Sequence, residues 1–293
     1  MSEPARIRPL YWSVRRELWE NKSVYIVPLI VSGVILFGFA ISMIGMPHRR
    51  RAALLLDEAH QRAAIGGPYV MAGGMLLIVS AIVAAFYCLD ALYGERRDRS
   101  ILFWKSLPVS DRTTVTAKAS IPLVIVPVIA FVVAIATQFA MFVMTCVLLL
   151  ASGLPPEAAV WPQMKYALPP FVLAYGVVTM VLWHAPIYGW MMLVSGWAKR
   201  ATLAWAFVPF LAVMMLEKIA FNTQYFAHLI GYRFAGWIYE AFVPQVHNAP
   251  PMDPIEAMTP LHFLATPGLW IGLVFAAVFF IAAARMRRNR API

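Results

Sequence analysis

Long runs of apolar residues alternate with short polar segments along the whole chain. A helix needs about 20 apolar residues to cross the hydrocarbon core of a bilayer. By that measure the chain contains six transmembrane helices, which we call spans one to six, at residues 24–45, 69–92, 121–150, 167–194, 201–216 and 268–284. Span three is long enough to be tilted or kinked, and Pro122 and Pro127 lie in its first turns. The pattern predicts an all-α integral membrane protein with a single transmembrane domain, residues 1–293.

The composition agrees with a lipid membrane as the surrounding solvent. Hydrophobic residues make up 61% of the 293 residues and charged residues only 13%, with a mean hydropathy of +0.72, whereas soluble domains carry about a quarter charged residues. The formal net charge is +10. In a membrane protein such an excess of lysine and arginine is expected in the cytoplasmic loops, so it does not indicate a nucleic-acid partner.

Basic residues predict the orientation of the chain, because loops on the cytoplasmic side are enriched in lysine and arginine. If the N-terminus lies inside, the inner segments hold 17 of the 24 basic residues. We therefore predict that both termini are cytoplasmic and that residues 217–267 form an outer segment. The cluster of Arg49, Arg50 and Arg51 is the exception, since it falls in the first outer loop.

Residues 1–23 precede span one and are predicted to contain an amphipathic helix. Apolar side chains recur there at helical spacing, and basic side chains occupy the opposite face. A basic amphipathic helix with tryptophan at its edge is typical of helices that lie in the membrane interface. The residues predicted to hold this interfacial position are Arg15, Arg16, Leu18 and Trp19.

The polar loop at residues 93–120 contains the most specific pattern in the sequence, GERRDRSILFWKSLPVSDRTT. It predicts a short helix, a break at Pro108, and a new helix with Ser110 or Asp111 as its N-cap. Charged residues are followed there by an apolar group at residues 101–104. Two interpretations are open: a membrane-skimming turn whose aromatic residues lie among the lipid headgroups, or a docking helix that inserts an apolar anchor into a groove on a partner protein.

Few polar groups lie inside the predicted spans, where they are costly. His184 lies near the middle of span four, and Thr137 and Gln138 lie in span three, so these three residues are candidates for the lining of a pathway. A proton relay would need further ionisable groups at a similar depth, which makes packing or cavity lining the simpler interpretation of His184. Cys88 and Cys146 are predicted to lie at different depths, too far apart for a disulfide.

Familiar catalytic motifs do not occur in the sequence. It contains neither a GxxxxGK[ST] phosphate loop, nor an HExxH zinc motif, nor a GxSxG serine motif. The six histidines are scattered over several segments. We therefore expect no catalytic residues, metal or cofactor in this chain, and any uphill transport would draw its energy from elsewhere.

The run ERRDRSILFWKSLPVSD, placed between spans two and three, resembles the corresponding stretch of ABC-2-type permeases, the membrane subunits of type V ABC transporters. The order of six spans with a long outer segment between spans five and six is also similar to that family. The resemblance implies that residues 7–21 are a connecting helix, that residues 96–106 are a coupling helix, and that residues 221–242 are outer re-entrant helices. The docking residues of the coupling helix would be Arg96, Arg97, Ile101, Leu102, Phe103, Trp104 and Leu107.

The same resemblance implies a function. The chain would be the permease subunit of an exporter in a bacterial inner membrane, forming a dimer with a second copy or a paralogue, and ATP and magnesium would be bound by a separate ATPase subunit. Two alternatives from other classes are a membrane-embedded enzyme or assembly factor and an ion-coupled secondary carrier. A carrier of that kind is expected to have an inverted repeat and paired intramembrane charges, and neither is visible in the sequence.

Overall fold

The computed structural model describes residues 9–106, 110–243 and 252–289. Within these ranges the regular secondary structure is helical, and one isolated bridge pairs Phe242 with Met258. In chain order the helices are α1 (Pro9–Glu20), α2 (Ser23–Ser42), α3 (Met46–Ala53), α4 (Glu58–Asp90), α5 (Tyr93–Arg97), α6 (Ser100–Ser106), α7 (Asp111–Ser120), α8 (Val126–Ala151), α9 (Pro156–Ala159), α10 (Trp161–Tyr166), α11 (Pro170–Trp197), α12 (Thr202–Phe221), α13 (Tyr225–Ala241), α14 (Pro260–Ala265) and α15 (Pro267–Asn289).

The structure confirms an all-α membrane protein that crosses the bilayer several times. Six helical stretches of the described residues are long and apolar enough to span a membrane, and each contains or overlaps one predicted span. The spans correspond to α2, α4, α8, α11, α12 and α15. The second, third and fourth stretches begin before the predicted spans, at Glu58, Asp111 and Pro156. The fourth includes the short helices α9 and α10, which precede α11. In the second, α4 itself begins at Glu58, and polar residues in its first turns hid them from a search for apolar runs.

Span three begins with a distortion at its prolines. Residues Ile121–Ile125 form a π-helical turn between α7 and α8. Pro122 lies in this turn and Pro127 follows it, and a proline removes one backbone donor and crowds the preceding turn. A local π turn is one of the usual ways in which a long helix accommodates such a residue.

Helix α11 lies at the centre of the bundle and α12 lies at its edge. Trp183, Met192 and Val194 of α11 are fully buried among its neighbours. Gly189 permits a close approach to α15, because a Cβ atom there would lie 3.2 Å from the carbonyl oxygen of Ala276. In α12, by contrast, Ala206 is the one residue that is buried. An apolar helix with exposed sides is expected where it faces lipid.

Both ends of the described chain lie at the same end of the bundle, as an even number of spans predicts. Helix α1 packs against α7, which also contacts the last turns of α15. We call this the α1 end, and it also holds α5 and α6. The opposite end, with α3, α9 and α10, is called the α3 end.

Cysteine labelling tests which end faces the cytoplasm. Arg112 at the α1 end and Glu157 at the α3 end are both exposed, and the native Cys88 and Cys146 are buried. In a background with Cys88 and Cys146 replaced by alanine, we expect a membrane-impermeant maleimide to label Glu157→Cys in intact cells. Arg112→Cys should react only after the membrane is permeabilised. The reverse pattern would invert the orientation predicted from the basic residues.

Candidate docking site and the ion-pair network behind it

Helix α1 presents an aromatic surface on one side and a buried carboxylate on the other. Trp12 and Trp19 are exposed, and the guanidinium of Arg15 lies over both rings, 5.3 Å and 4.6 Å from their centroids. Leu18 packs against the core. Glu17, which the sequence did not single out, is 1% exposed. The outward aromatic and basic face supports an interfacial position for α1, which stays a prediction.

Three groups from three helices meet at the Glu17 carboxylate. Lys118 Nζ lies 2.9 Å from Oε1 and 3.1 Å from Oε2 of Glu17. The hydroxyl of Tyr87 donates a hydrogen bond of 2.8 Å to Oε2, and Nη2 of Arg16 donates one of 2.6 Å to Oε1. These bonds join α1 to span two and to the start of span three.

A second carboxylate, that of Glu95, extends the network to the last helix. Lys118 Nζ lies 3.2 Å from its Oε1, and Arg287 Nη2 lies 3.1 Å from its Oε2. Arg287 also pairs with Asp111, and Arg16 Nη2 lies 3.3 Å from Glu95 Oε1. We refer to Arg16, Glu17, Glu95, Asp111, Lys118 and Arg287 as the ion-pair network.

The network balances three carboxylates with three cations at the α1 end of the bundle. Glu17, Glu95, Lys118 and Arg287 are all buried, and Lys118 is only 3% exposed. An isolated buried charge would be strongly destabilising, whereas paired and hydrogen-bonded charges are tolerated. Burial by itself raises the pKa of the Glu17 carboxyl, but the charge of Lys118 and the hydrogen bonds from Lys118 and Arg16 bring that pKa below its usual value. Glu17 is therefore ionised at neutral pH.

A separate set of hydrogen bonds fixes α5 to the end of span four. Arg96 Nη1 donates to the carbonyl oxygens of Gly196, at 2.8 Å, and Ala198, at 3.1 Å. Ser195 Oγ accepts hydrogen bonds of 2.8 Å from the backbone amides of Leu92 and Tyr93. Free amides at a helix start and free carbonyls at a helix end both need partners. Here Ser195 of α11 accepts from the amides at the start of α5, and Arg96 of α5 donates to the carbonyls at the end of α11.

The loop after span two presents a smaller apolar surface than the sequence predicts. Leu102 and Phe103 on α6 are 59% and 60% exposed, whereas Ile101 is 1% exposed and packs inward. Arg97 stays at the surface, where its Nε donates a hydrogen bond of 2.9 Å to Asp98. Arg96 is buried and bonded to the end of span four, so the docking role that the resemblance implies for it stays a prediction.

The predicted docking loop also includes Trp104, Leu107 and the helix start that follows the break at Pro108. The side chain of Trp104 and the whole of Leu107 lie outside the described residues, so both stay predictions from the sequence. The predicted helix start after the break is confirmed at Ser110, whose Oγ accepts a hydrogen bond of 3.1 Å from the amide of Thr113.

The polar residues inside the spans bond to neighbouring parts of the bundle. Gln138 Nε2 donates to the carbonyl of Tyr69 at 3.1 Å. Thr137 Oγ1 donates to the carbonyl of Val133 at 2.7 Å and lies 2.6 Å from Ser32 Oγ. These contacts agree with packing roles for the two side chains of span three.

His184 connects span four to α13 beside a cavity. Its Nδ1 lies 2.7 Å from the carbonyl oxygen of Met180 and its Nε2 lies 3.1 Å from that of Phe234. The side chain also borders a cavity of about 560 Å³ between α4, α11, α12 and α13. Across the described ranges no three histidine, cysteine or acidic residues are grouped so that they could hold a metal ion.

The ion-pair network thus joins α1, α5, α7 and α15 at the α1 end, and the exposed pair on α6 follows α5 closely along the chain. No protein-family model matches the sequence, and no curated protein or solved structure matches it either.

Proposed function

We propose that this chain is the transmembrane, or permease, subunit of an ATP-driven exporter of the ABC-2 type. It would act as a dimer with a second copy or a paralogue, together with separate ATPase subunits. The observation that carries this proposal is the loop after span two, where α6 exposes Leu102 and Phe103 while residues just before them are bonded into the bundle. A docking surface for a motor subunit needs both properties.

The bonds behind α6 support a route for mechanical coupling. Glu95 is tied through Lys118 and Arg287 to span three and to span six, and Arg96 is tied to the end of span four. Displacement of α6 by a partner would therefore pull on several spans at once instead of bending one loop. A loop that only skims the headgroups has no need to transmit a displacement to several spans.

The exposed sides of two spans support the proposed dimer. Of the six candidate spans, α2 and α12 bury the smallest shares of their apolar windows, 17% and 6%. The resemblance to ABC-2-type permeases assigns the contact between permeases to spans one and five, which are α2 and α12. Lipid would cover the exposed parts of α2 and α12 that a second permease does not contact.

Purified chain without a partner should hydrolyse no ATP, because its sequence has no phosphate-binding loop. We expect turnover to appear only when the ATPase subunit is added, and to be blocked by vanadate. The test compares phosphate release by the chain alone, by the ATPase alone and by both reconstituted in vesicles. Vanadate-sensitive turnover by the isolated chain, after contaminating ATPases are removed, would overturn the proposal.

A further inference from the structure

A second cavity lies beside the one at His184 and differs from it by containing a fixed positive charge. It has a volume of about 400 Å³ and lies between α11, α12, α13 and α15. Its walls are apolar, and they include the aromatic side chains of Trp190, Phe207, Phe210, Phe275 and Phe279. The charged residue that borders it is Arg233 of α13. We call it the Arg233 cavity.

Arg233 is held in place by contacts that leave much of its charge without compensation. Nη2 donates a hydrogen bond of 3.1 Å to the carbonyl oxygen of Gly268, and the guanidinium lies 4.9 Å from the centre of a Trp183 ring. Space for it depends on Gly272, where any Cβ atom would overlap Nη2. A side chain packed so closely is fixed in direction, which suits the recognition of a ligand.

No carboxylate of the described chain neutralises this arginine. Arg233 has no Asp or Glu oxygen within 4.0 Å in residues 9–106, 110–243 and 252–289. Glu240 on the same helix is engaged elsewhere, because it accepts hydrogen bonds of 2.7 Å from the Tyr232 hydroxyl and 3.0 Å from Thr266 Oγ1. A guanidinium has five N–H donors, and an uncompensated cation next to lipid is costly and commonly functional.

We propose that the Arg233 cavity binds an anionic amphiphile, with a carboxylate or phosphate headgroup at Arg233 and an apolar chain among the aromatic side chains. An anion satisfies the remaining donors through charge-assisted hydrogen bonds. On α12 the cavity is bordered from Ala206 to Met214, eight residues later, so it extends roughly 12 Å along that helix at 1.5 Å per residue. The binding site stands whether or not the chain works with an ATPase.

The test uses the purified full chain in neutral detergent and a long-chain fatty acid that carries a photoreactive diazirine in its chain. We expect crosslinks in the wild type to map to Phe210, Phe275 and Phe279. Arg233→Gln should weaken fatty-acid binding roughly ten- to a hundredfold, the range expected for loss of a hydrogen bond to a charged group. Arg233→Lys should retain part of the affinity. Lys218→Gln, which removes a charge from the exposed end of α12, should leave it unchanged.

Two further experiments complete the test: one stays valid if Arg233→Gln fails to fold, and the other identifies the source of the ligand. Met214→Trp fills the cavity without changing Arg233, so it should abolish crosslinking at these positions. Displacement of the fatty acid by phosphatidylglycerol would identify a membrane lipid as the occupant. Retained binding in excess phosphatidylglycerol would identify a single-chain anion.

Several outcomes would overturn the proposal. One is a fatty alcohol of equal length that binds the wild type as tightly as the acid does, since Arg233 would then contribute nothing. A second is displacement of the labelled fatty acid by inorganic phosphate as effectively as by unlabelled fatty acid, since the apolar chain would then contribute nothing. The third is a set of crosslinks spread over α2 and α8, which would indicate ordinary contact with surrounding lipid.

Discussion

Replacing Lys118 with methionine should destabilise the protein more than removal of any surface charge. The change keeps most of the apolar stem but leaves Glu17 and Glu95 without their shared cation. Breaking a buried ion pair in this way costs about 3–5 kcal/mol, which for a chain of this size lowers the thermal unfolding temperature by roughly 10 °C. The measurement is thermal unfolding of the purified protein in detergent micelles.

Lys199→Met is the matched control, because Lys199 is exposed and lies at the end of span four. It should change the unfolding temperature little, since exposed charges contribute less than about 1 kcal/mol. Equal losses from the two substitutions would show that the network does not stabilise the α1 end.

The dependence of thermal stability on pH gives an independent measure of the contacts of Glu17. The pKa of Glu17 is lowered in the folded protein, so its stabilising contribution is complete above its unfolded pKa of about 4.3. That contribution is lost as pH falls through the lower folded value. Without Lys118 the pKa of Glu17 should rise, and the loss of thermal stability should begin at higher pH than in the wild type.

Replacing Leu102 and Phe103 together with alanine should strongly weaken binding of the proposed ATPase subunit. Exposed apolar anchors at an interface commonly contribute about 2 kcal/mol or more each. At 1.4 kcal/mol per tenfold change in affinity, the pair would lower the affinity by roughly a thousandfold if the two losses add. Arg97→Gln should act differently, mainly by slowing association and reducing its dependence on salt.

The measurement is a binding titration of the ATPase against each variant, beside its thermal unfolding. Ile44 and Leu55 provide a control pair, because both are exposed apolar residues far from α6. Their replacement with alanine should leave ATPase binding unchanged. If the Leu102 and Phe103 variant binds the ATPase normally but unfolds at lower temperature, the loop is a headgroup anchor and not a docking site.

The sequence predicted the helices better than the contacts between them. Runs of apolar residues locate six spans because the bilayer imposes their length, and Ser110 was recognisable as an N-cap from purely local chemistry. The inward direction of Ile101 and Arg96 was not predictable in that way. For Arg96 it depends on the end of span four, 100 residues further along the chain.

The ion-pair network was not predictable for a similar reason, because its partners are far apart in the sequence. Glu95 is 79 residues from Arg16 and 192 residues from Arg287. One local signal was present. Glu17 follows Val14 by three residues and precedes Leu18, and those two apolar residues pack against the core. A carboxylate on the apolar face of an amphipathic helix indicates a buried cation, although the sequence does not say which one.

The long separation of these partners also sets an order of assembly during synthesis. Chains are made from the N-terminus and their early segments fold first, so Glu17 can meet Lys118 once span three has been inserted. Arg287 is made 192 residues after Glu95 and belongs to the last helix. Until α15 has been synthesised, Glu95 and Asp111 lack their ion pairs with Arg287. Completion of the network therefore requires α15, and a truncated product that lacks α15 would keep three carboxylates against two cations at the α1 end.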